Sequence, residues 1–245
     1  MQLYSLRREA ETDPEGTLKK IRSLGYDGVE LAGDYDWPAE KWRTLLSKNG
    51  LQVIAAHLDL DTLEKNLKAQ LAFHEEIENE LLVVSSIPDE LRTPGGFREA
   101  ARRLNKIGER LAHAGFQLLY HNHAFEFDEL DTGGTGMDVL FENTDPELVE
   151  FEVDTHWIEH AGCDSVEFIM QNADRIALLH AKEFRASDGA DTAIGEGDVD
   201  FKKIAALSLK NHWPIVVEYE GENAFETVTK SAAYLRTLLS AKYQR

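Results

Sequence analysis

Cysteine is almost missing from this sequence, since Cys163 is the only one in 245 residues. One cysteine cannot form a disulfide framework, so the chain is not built like the small disulfide-stapled domains of secreted proteins. Apolar runs of about 18 residues, which a membrane-spanning helix needs, are also missing. The sequence opens Met-Gln-Leu-Tyr-Ser-Leu, without the basic and apolar segments of a signal peptide. We therefore expect a cytoplasmic protein that does not bind a membrane.

Basic residues are scarce as well, with 26 Lys and Arg against 45 Asp and Glu, a formal net charge of −19. Such a field repels phosphate backbones, so nucleic acid is not expected as a partner. The one glycine-rich stretch, 131–136, lacks the Lys-Ser/Thr of a phosphate-binding loop and the strand–loop–helix spacing of a dinucleotide fingerprint. We predict that it is a turn. The acidity is compatible with divalent cations and neutral polar substrates, although it also serves solubility alone.

Short apolar runs that alternate with helical patterns are what the sequence does contain. Runs of this kind are typical of strands buried on both faces of a parallel sheet, joined by right-handed crossovers. The predicted strands are Gln2–Leu6, Gly28–Ala32, Leu51–His57, Leu81–Ser85, Phe116–His121, Leu148–Asp154, Ile176–His180 and Pro214–Glu218. Eight such units in roughly 250 residues predict an α/β fold, a (β/α)8 TIM barrel that forms a single domain over residues 1–245. A doubly wound open sheet is the alternative.

Potential metal ligands and proton carriers follow the ends of these strands. The active site of a barrel lies at the carboxyl ends of its strands, so side chains from different strands would meet there. The candidates are Glu30, His57, His121, His123, Asp154, His156, His180 and Glu218, followed in the loop after the seventh strand by Lys182, Glu183 and Arg185. A single His at a strand end is more often a hydrogen-bonded core residue, and Asp154 would also suit a helix cap. Because four consecutive strands end in donors, we favour one shared site.

Histidine and carboxylate ligands suit Mn²⁺, Mg²⁺, Co²⁺ or Zn²⁺. A carboxylate beside such an ion can remove a proton from a carbon next to a carbonyl while the ion polarises that carbonyl. We predict Glu218 as this base. Lys182 or Arg185 would stabilise developing negative charge or bind an anionic group. His123 and His156 each lie two residues beyond a better-placed donor, so they are predicted to contact substrate.

Six segments carry a family resemblance. They are Gln2–Arg7, Gly25–Glu30, Tyr120–Glu126, Val153–Trp157, Leu179–Lys182 and Gly195–Asp200. Together they resemble the sugar phosphate isomerase/epimerase proteins of the xylose isomerase-like TIM barrel superfamily, over nearly the whole chain. The resemblance implies a (β/α)8 barrel with one divalent metal ion, commonly manganese, that acts on a small carbohydrate.

The resemblance also implies ligands. Ketose epimerases of this superfamily use Glu, Asp, His and Glu from the last four strands, and the matching positions here are Asp154, His180 and Glu218. The first position holds His121 instead of Glu, and Glu126 folding back to take that place is the second choice. An epimerisation that uses two glutamates is therefore in question. An isomerisation or elimination that uses Glu218, with a histidine as partner, is equally compatible.

The predicted roles follow from the residue types and from the resemblance together. The predicted metal ligands are His121, Asp154, His180 and Glu218; the catalytic residues are Glu218, His121 and Lys182; the substrate-binding residues are Glu30, His57, His123, His156 and Arg185. The segment Ser187–Asp198, polar and containing glycine, is a candidate mobile loop.

The leading hypothesis is a metal-dependent isomerase or epimerase of a carbohydrate or keto-sugar. A lyase or dehydratase that acts on a keto-sugar or an inositol-like ring is the first alternative. A three-zinc DNA-repair endonuclease, known in the same superfamily, is disfavoured by the net charge. A sugar-binding barrel without catalysis is the last alternative, and the sequence leaves open whether the chain forms a homo-oligomer.

Overall fold

The computed structural model describes residues 1–240. Seven parallel strands lie side by side in sequence order within this part of the chain. They are β1 (Gly28–Ala32), β2 (Gln52–Leu58), β3 (Leu81–Val84), β4 (Gln117–His121), β5 (Val149–Asp154), β6 (Ile176–Ala181) and β7 (Ile215–Val217). This nearly closed barrel confirms the predicted fold class and rules out the doubly wound open sheet. The single-domain prediction also covered residues 241–245, which lie outside the described residues.

Helices follow every strand and surround the sheet. In residues 1–240 they are α1 (Arg7–Thr12), α2 (Pro14–Ser23), α3 (Ala39–Asn49), α4 (Leu60–Glu76), α5 (Pro94–Ala112), α6 (Gly136–Asn143), α7 (Thr155–His160), α8 (Ser165–Gln171), α9 (Phe201–Asn211) and α10 (Ala224–Ser240). Local sequence explains several helix ends. The Asp13 side chain accepts a hydrogen bond from the Gly16 amide and so caps α2, whose first residue is Pro14. Gly50 ends α3 with φ of 62°. None of the described helices is long and apolar enough to cross a bilayer.

The prediction that Gln2–Leu6 forms the first strand is wrong. Only Gln2 pairs with the sheet, where it forms one parallel bridge to Glu30. The Gln2 amide donates to the Val217 carbonyl at 2.9 Å, and the Glu30 amide donates to the Met1 carbonyl at 2.9 Å, so these two residues join β7 to β1. The Gln2 side chain then accepts the Tyr4 amide at 3.0 Å, and Leu3–Leu6 turns into a 3-10 helix. The chain therefore leaves the sheet after Gln2, because the Gln2 side chain caps a helical turn instead of continuing a strand.

The inner face of the barrel explains the position of the candidate residues. One small apolar cluster fills the interior: Ala55, Val83, Leu119, Leu178 and Val216. Side chains two residues apart on a strand point to the same face. The next inward positions after four of these residues are therefore His57, His121, His180 and Glu218. The strands thus place an apolar layer below and a polar layer above it, at their carboxyl ends.

Candidate metal centre and active-site pocket

Three side chains from consecutive strands bring their ligand atoms together. His121 Nε2 lies 3.0 Å from His180 Nδ1, and Asp154 Oδ2 lies 3.2 Å from His180 Nδ1 and 3.5 Å from His121 Nε2. Glu218 Oε2 lies 3.8 Å from His180 Nδ1. We call these four residues the ligand cluster. All four are buried. The distances show that the predicted metal ligands lie together in the fold.

The chemistry of this cluster fits a divalent ion. His180 Nδ1 carries at most one proton, so it cannot donate a hydrogen bond to all three groups that it faces, which are a second imidazole nitrogen and two carboxylates. Ligand atoms that share an ion at bond lengths of about 2.1 Å lie about 3.0–3.4 Å apart, a range that includes the separations of 3.0 and 3.2 Å and lies just below the one of 3.5 Å. Burial by itself would raise the pKa of Asp154, but hydrogen bonds with His121 and His180 hold that pKa well below its usual range. Asp154 therefore stays ionised, as a ligand must be.

Asp154 also fulfils the alternative interpretation as a helix cap. Its Oδ1 accepts the Trp157 amide at 3.0 Å and starts α7, while Oδ2 faces the two histidines. Asn122, at the end of β4, holds the same backbone from the other side: its Oδ1 accepts the Asp154 amide at 2.9 Å. These contacts fix the direction of the carboxylate before any ion binds.

Glu126 lies outside the ligand cluster. Its Oε1 accepts the Tyr120 hydroxyl at 2.6 Å and its Oε2 accepts the His123 amide at 2.8 Å. Burial raises the pKa of Glu126 to about 7. Of the two sequence alternatives for the first ligand, the structure therefore brings His121, and not Glu126, to the other ligand atoms.

A second layer of charge lies next to the cluster. His180 Nε2 faces Glu30 Oε2 at 3.3 Å, and the Gln2 side-chain amide donates to the same oxygen at 2.7 Å. A carboxylate that faces the second imidazole nitrogen and can accept its hydrogen bond fixes the ring orientation of a metal-binding histidine. Glu30 is fully buried and does not line the cavity, so its position favours this supporting contact over the predicted substrate contact.

Glu152 belongs to the same layer, and the sequence reasoning missed it. Its Oε2 lies 2.7 Å from His57 Nε2, and its side chain is fully buried. The available signal was strand alternation, because Glu152 lies two residues before Asp154 on β5 and so faces the same way. Glu30, His57, Glu152 and His180 form a second group whose potential ligand atoms all lie within 4.8 Å of one another.

A cavity of about 610 Å³ opens onto the cluster. His121 and Glu218 line it, as do two predicted substrate-binding residues, His57 and His123. His123 packs against the rings of Phe125 and Trp157, and burial lowers its pKa to about 3, so its imidazole is neutral.

The other two predicted substrate contacts lie elsewhere. His156 Nδ1 lies 2.7 Å from the Glu183 carbonyl in a buried position, and Arg185 is half-buried and pairs with Asp188 at 2.8 Å. Neither side chain lines the cavity.

Lys182 is a buried cation between two carboxylates. Its Nζ lies 3.3 Å from Glu218 Oε2, binds Glu220, and lies 4.7 Å from the centre of the Trp157 ring. Burial alone would lower the pKa of Lys182, but the negative charges of Glu218, Asp154 and Glu220 raise that pKa above its ordinary value. The ammonium group therefore stays charged beside the predicted base.

Hydrogen bonds to Glu183 hold the loop after β6 in place, a role that the sequence analysis missed. Its carboxylate accepts the amides of Phe184 at 3.0 Å, Gly195 at 2.8 Å and Val199 at 3.1 Å. The Ile194 amide also donates to Ser231 Oγ on α10 at 3.1 Å. The candidate mobile segment Ser187–Asp198 is therefore held at several points, and its mobility stays a prediction.

The family model described as xylose isomerase-like TIM barrel matches residues 18–238. The chain belongs to the xylose isomerase-like TIM barrel family. This confirms the family predicted from the sequence, and the match covers every strand of the barrel.

Individual relatives carry different names. An inosose dehydratase from Clostridium tetani (strain Massachusetts / E88) is 24% identical over 93% of this chain and 90% of that protein. An inosose dehydratase from Mesomycoplasma hyopneumoniae (strain 7448) is 26% identical over 91% of this chain and 88% of that protein. A crystal structure of a sugar phosphate isomerase/epimerase from Parabacteroides distasonis superposes with a TM-score of 0.86, at 25% identity, over 98% of this chain and 93% of that one. The named relatives of this barrel thus include both lyases and an isomerase/epimerase.

Proposed function

We propose that the protein is a divalent-metal-dependent dehydratase that removes water from a polyhydroxy ketone, either a keto-sugar or an inositol-like ring. One observation carries this proposal: Glu218 is the single carboxylate of the ligand cluster that also lines the cavity. The position where an epimerase would have its second glutamate holds His121, and Glu126 is bound to Tyr120 and His123 instead.

The number of protons that must move separates the two reactions. In a dehydration, the base takes a proton from the carbon next to the carbonyl, a carbon–carbon double bond forms, and the carbon–oxygen bond to the neighbouring hydroxyl breaks. The same proton can leave with that hydroxyl as water, so one carboxylate on one face is sufficient. Epimerisation needs a second group that returns a proton from the opposite face. Glu218 alone therefore supports elimination better than epimerisation.

Lys182 would assist this step without acting as a base. Its charged ammonium lies beside Glu218, where it favours the ionised carboxylate before proton transfer. The same charge would stabilise negative charge that develops on the substrate oxygen. Neutral His123 and the Trp157 ring, both on the cavity wall, would hold the polyhydroxylated ring.

His121, Asp154, His180 and Glu218 would hold the ion, which we propose to be Mn²⁺, with Mg²⁺, Co²⁺ or Zn²⁺ as alternatives. When bound, the ion supplies polarisation of the substrate carbonyl. The names of the inosose dehydratases, at 24% and 26% identity over most of the chain, support the elimination.

An isomerase is the second candidate, as first predicted from the sequence. It is favoured by the similarity to the Parabacteroides distasonis protein, at 25% identity. Isomerisation between neighbouring carbons also needs one base on one face, so Glu218 would serve it equally.

Product mass separates these candidates. We would incubate the metal-loaded protein with a keto-inositol and with keto-hexoses, and analyse the products by mass spectrometry. A product lighter than the substrate by one water supports the dehydratase, and a new product of equal mass supports the isomerase. Glu218→Gln is expected to abolish either reaction, whereas Asp128→Asn, at an exposed position, is not. Ketone binding without any turnover would identify a non-catalytic sugar-binding barrel.

Two further expectations stay predictions: a cytoplasmic location and the absence of nucleic-acid partners. The sequence left the oligomeric state open, with a homo-oligomer as one possibility.

A further inference from the structure

The residue at the end of β4 decides the mixture of ligand atoms in the cluster. His121 Nε2 lies 3.0 Å from His180 Nδ1 and 3.5 Å from Asp154 Oδ2. Together with Glu218, these side chains offer two imidazole nitrogens and two carboxylates to an ion. A carboxylate in place of His121 would leave His180 as the single nitrogen ligand of the cluster.

The neighbouring carboxylates do not add oxygen ligands to the cluster. Glu30 and Glu152 belong to the separate group with His57 and His180, in which Glu152 Oε2 lies 2.7 Å from His57 Nε2. Glu126 lies outside the cluster, because its two oxygens accept hydrogen bonds from the end of β4 and the residues after it. An ion in the cluster would therefore receive charged protein oxygens from its two carboxylates alone.

The cluster is also buried, which limits the water that an ion can keep. Asp154 and His180 are fully buried, and His121 and Glu218 are 3% and 7% exposed. Of these four residues, His121 and Glu218 line the cavity, so water would reach an ion from that side. An ion held here would exchange much of its hydration shell for protein ligands.

Both properties are unfavourable for Mg²⁺. This ion takes oxygen ligands, dehydrates reluctantly and usually keeps several waters, whereas Zn²⁺ and Co²⁺ bind imidazole nitrogen readily. We propose that His121 excludes Mg²⁺ from the ligand cluster and thereby restricts the protein to ions that accept a second imidazole ligand. This inference rests on the metal site of the proposed function, and it removes Mg²⁺ from the ions named there.

Competition between two ions on the Co²⁺-loaded wild type tests the exclusion. Co²⁺ is the probe, because its visible absorption changes when it leaves the protein ligands, and MgCl₂ is the competitor at constant ionic strength. We expect an about 1,000-fold excess of Mg²⁺ over Co²⁺ to leave more than half of the Co²⁺ bound. Release of half of the Co²⁺ at a smaller excess would overturn the exclusion.

Variants of His121 test the residue itself. His121→Glu supplies a charged oxygen and His121→Gln an uncharged one, so the pair separates the type of ligand atom from its charge. In His121→Glu, we expect Mg²⁺ to displace Co²⁺ at an excess at least about tenfold smaller than in the wild type, and in His121→Gln at an intermediate excess.

The matched control is His160→Glu, the same substitution at an exposed position of α7, and its competition curve should equal that of the wild type. Circular dichroism of the metal-free proteins checks that the variants are folded. Competition curves equal to that of the wild type in both His121 variants would overturn the role of His121.

The outcomes separate this inference from the proposed reaction. Co²⁺ binding with exclusion of Mg²⁺, but without loss of water from any ketone, would refute the dehydratase alone. Loss of water from a ketone, together with release of Co²⁺ by a small excess of Mg²⁺, would refute the exclusion alone. A wild type that binds neither ion would refute both.

Discussion

At the residue scale, the site depends on side chains that use both of their polar atoms for different tasks. Asp154 caps α7 with Oδ1 and faces His180 with Oδ2. His180 faces the ligand cluster with Nδ1 and Glu30 with Nε2. Because each second contact restricts an orientation, the candidate ligand atoms are held in place, and a substitution can remove one task while keeping the other.

Asp154→Asn should separate these two tasks. Asparagine keeps an oxygen that can cap α7, but it loses the charge of the carboxylate. We expect metal affinity to fall more than about 100-fold. The thermal unfolding temperature of the metal-free protein should fall only by the loss of the carboxylate's contacts with His121 and His180, because α7 keeps its cap. Elemental mass spectrometry and calorimetry measure both quantities. Asp128→Asn is the control, and metal content equal to that of the wild type in Asp154→Asn would contradict the ligand assignment.

Glu126 should make stability depend on pH. Burial raises its pKa from 4.5 to about 7, so the folded protein holds a proton that the unfolded chain has released. This contribution to stability is fully present below about pH 4.5 and is lost as pH rises through about 7. We expect it to amount to at most about 3 kcal/mol.

Denaturant unfolding of the wild type and of Glu126→Gln, at about pH 5 and about pH 8, measures this effect. Glutamine cannot lose a proton, so stability should fall less with pH in the variant. Equal pH dependence in both proteins would show that Glu126 titrates normally.

At the element scale, strand alternation and a few close contacts determine where the site lies. The strands carry apolar residues inward at one level and polar residues two positions later, and the carboxyl ends of parallel strands meet at one end of the barrel. The loop after β6 then closes beside Lys182, because Glu183 binds three of its amides. The outer helices contribute through tight packing against the barrel.

Glu183→Ala should release this loop. The substitution leaves three amides of the loop without their acceptor, and we expect a loss of about 3 kcal/mol in the free energy of unfolding. Limited proteolysis and hydrogen exchange should show faster opening of residues 184–199, with β1 to β4 unaffected. Glu196→Ala, at an exposed position of the same loop, is the control. Unchanged protection of the loop in Glu183→Ala would contradict this role.

Two glycines of α5 give a matched pair for the packing of this helix. A Cβ on Gly108 would lie 2.5 Å from the Leu148 carbonyl oxygen, whereas a Cβ on Gly95 would meet nothing within 4 Å. We expect Gly108→Ala to destabilise the protein by about 1–3 kcal/mol, because backbone must move to make room. Gly95→Ala should be neutral or stabilising by up to about 1 kcal/mol. Chemical denaturation measures both, and equal effects would mean that α5 does not pack closely on the segment before β5.

At the scale of the whole molecule, the fold and the net charge restrict the partners. A charge of −19 opposes polyanions, and among the described residues the cavity wall carries four Asp and Glu side chains and no Lys or Arg. Divalent cations and uncharged, hydroxylated molecules are the partners that this field permits. The proposed site would bring both to one end of the strands.

Nucleic-acid binding is therefore expected to be absent. Fluorescence anisotropy with a DNA duplex that contains an abasic site should show no binding at about 0.15 M salt. The metal content should be on the order of one ion per chain. Salt-dependent binding together with about three zinc ions per chain would support the endonuclease hypothesis instead.

The sequence by itself determined the features that depend on local order. Apolar runs and helical spacing predicted seven of the eight proposed strands within one or two residues, and the position of His121, His180 and Glu218 at strand ends predicted that they would meet at one end of the barrel. Strand direction, alternation and helix caps act over a few residues, so one chain segment contains the whole signal. This is why the barrel, and the end of it at which His121, Asp154, His180 and Glu218 lie, could be inferred before any contact was known, whereas the family was inferred from the resemblance of six segments.

The tertiary structure alone decided which of the candidate side chains meet. His57 and Glu152 are 95 residues apart in sequence and 2.7 Å apart in the fold, and His74 reaches the cavity from a helix that local patterns place on the outside. Gln2–Leu6 had the composition of a strand, but the closure between β7 and β1 uses only residues 1 and 2. Contacts of this kind depend on how the whole sheet closes, because burial and pairing are set by partners that no short stretch of sequence contains.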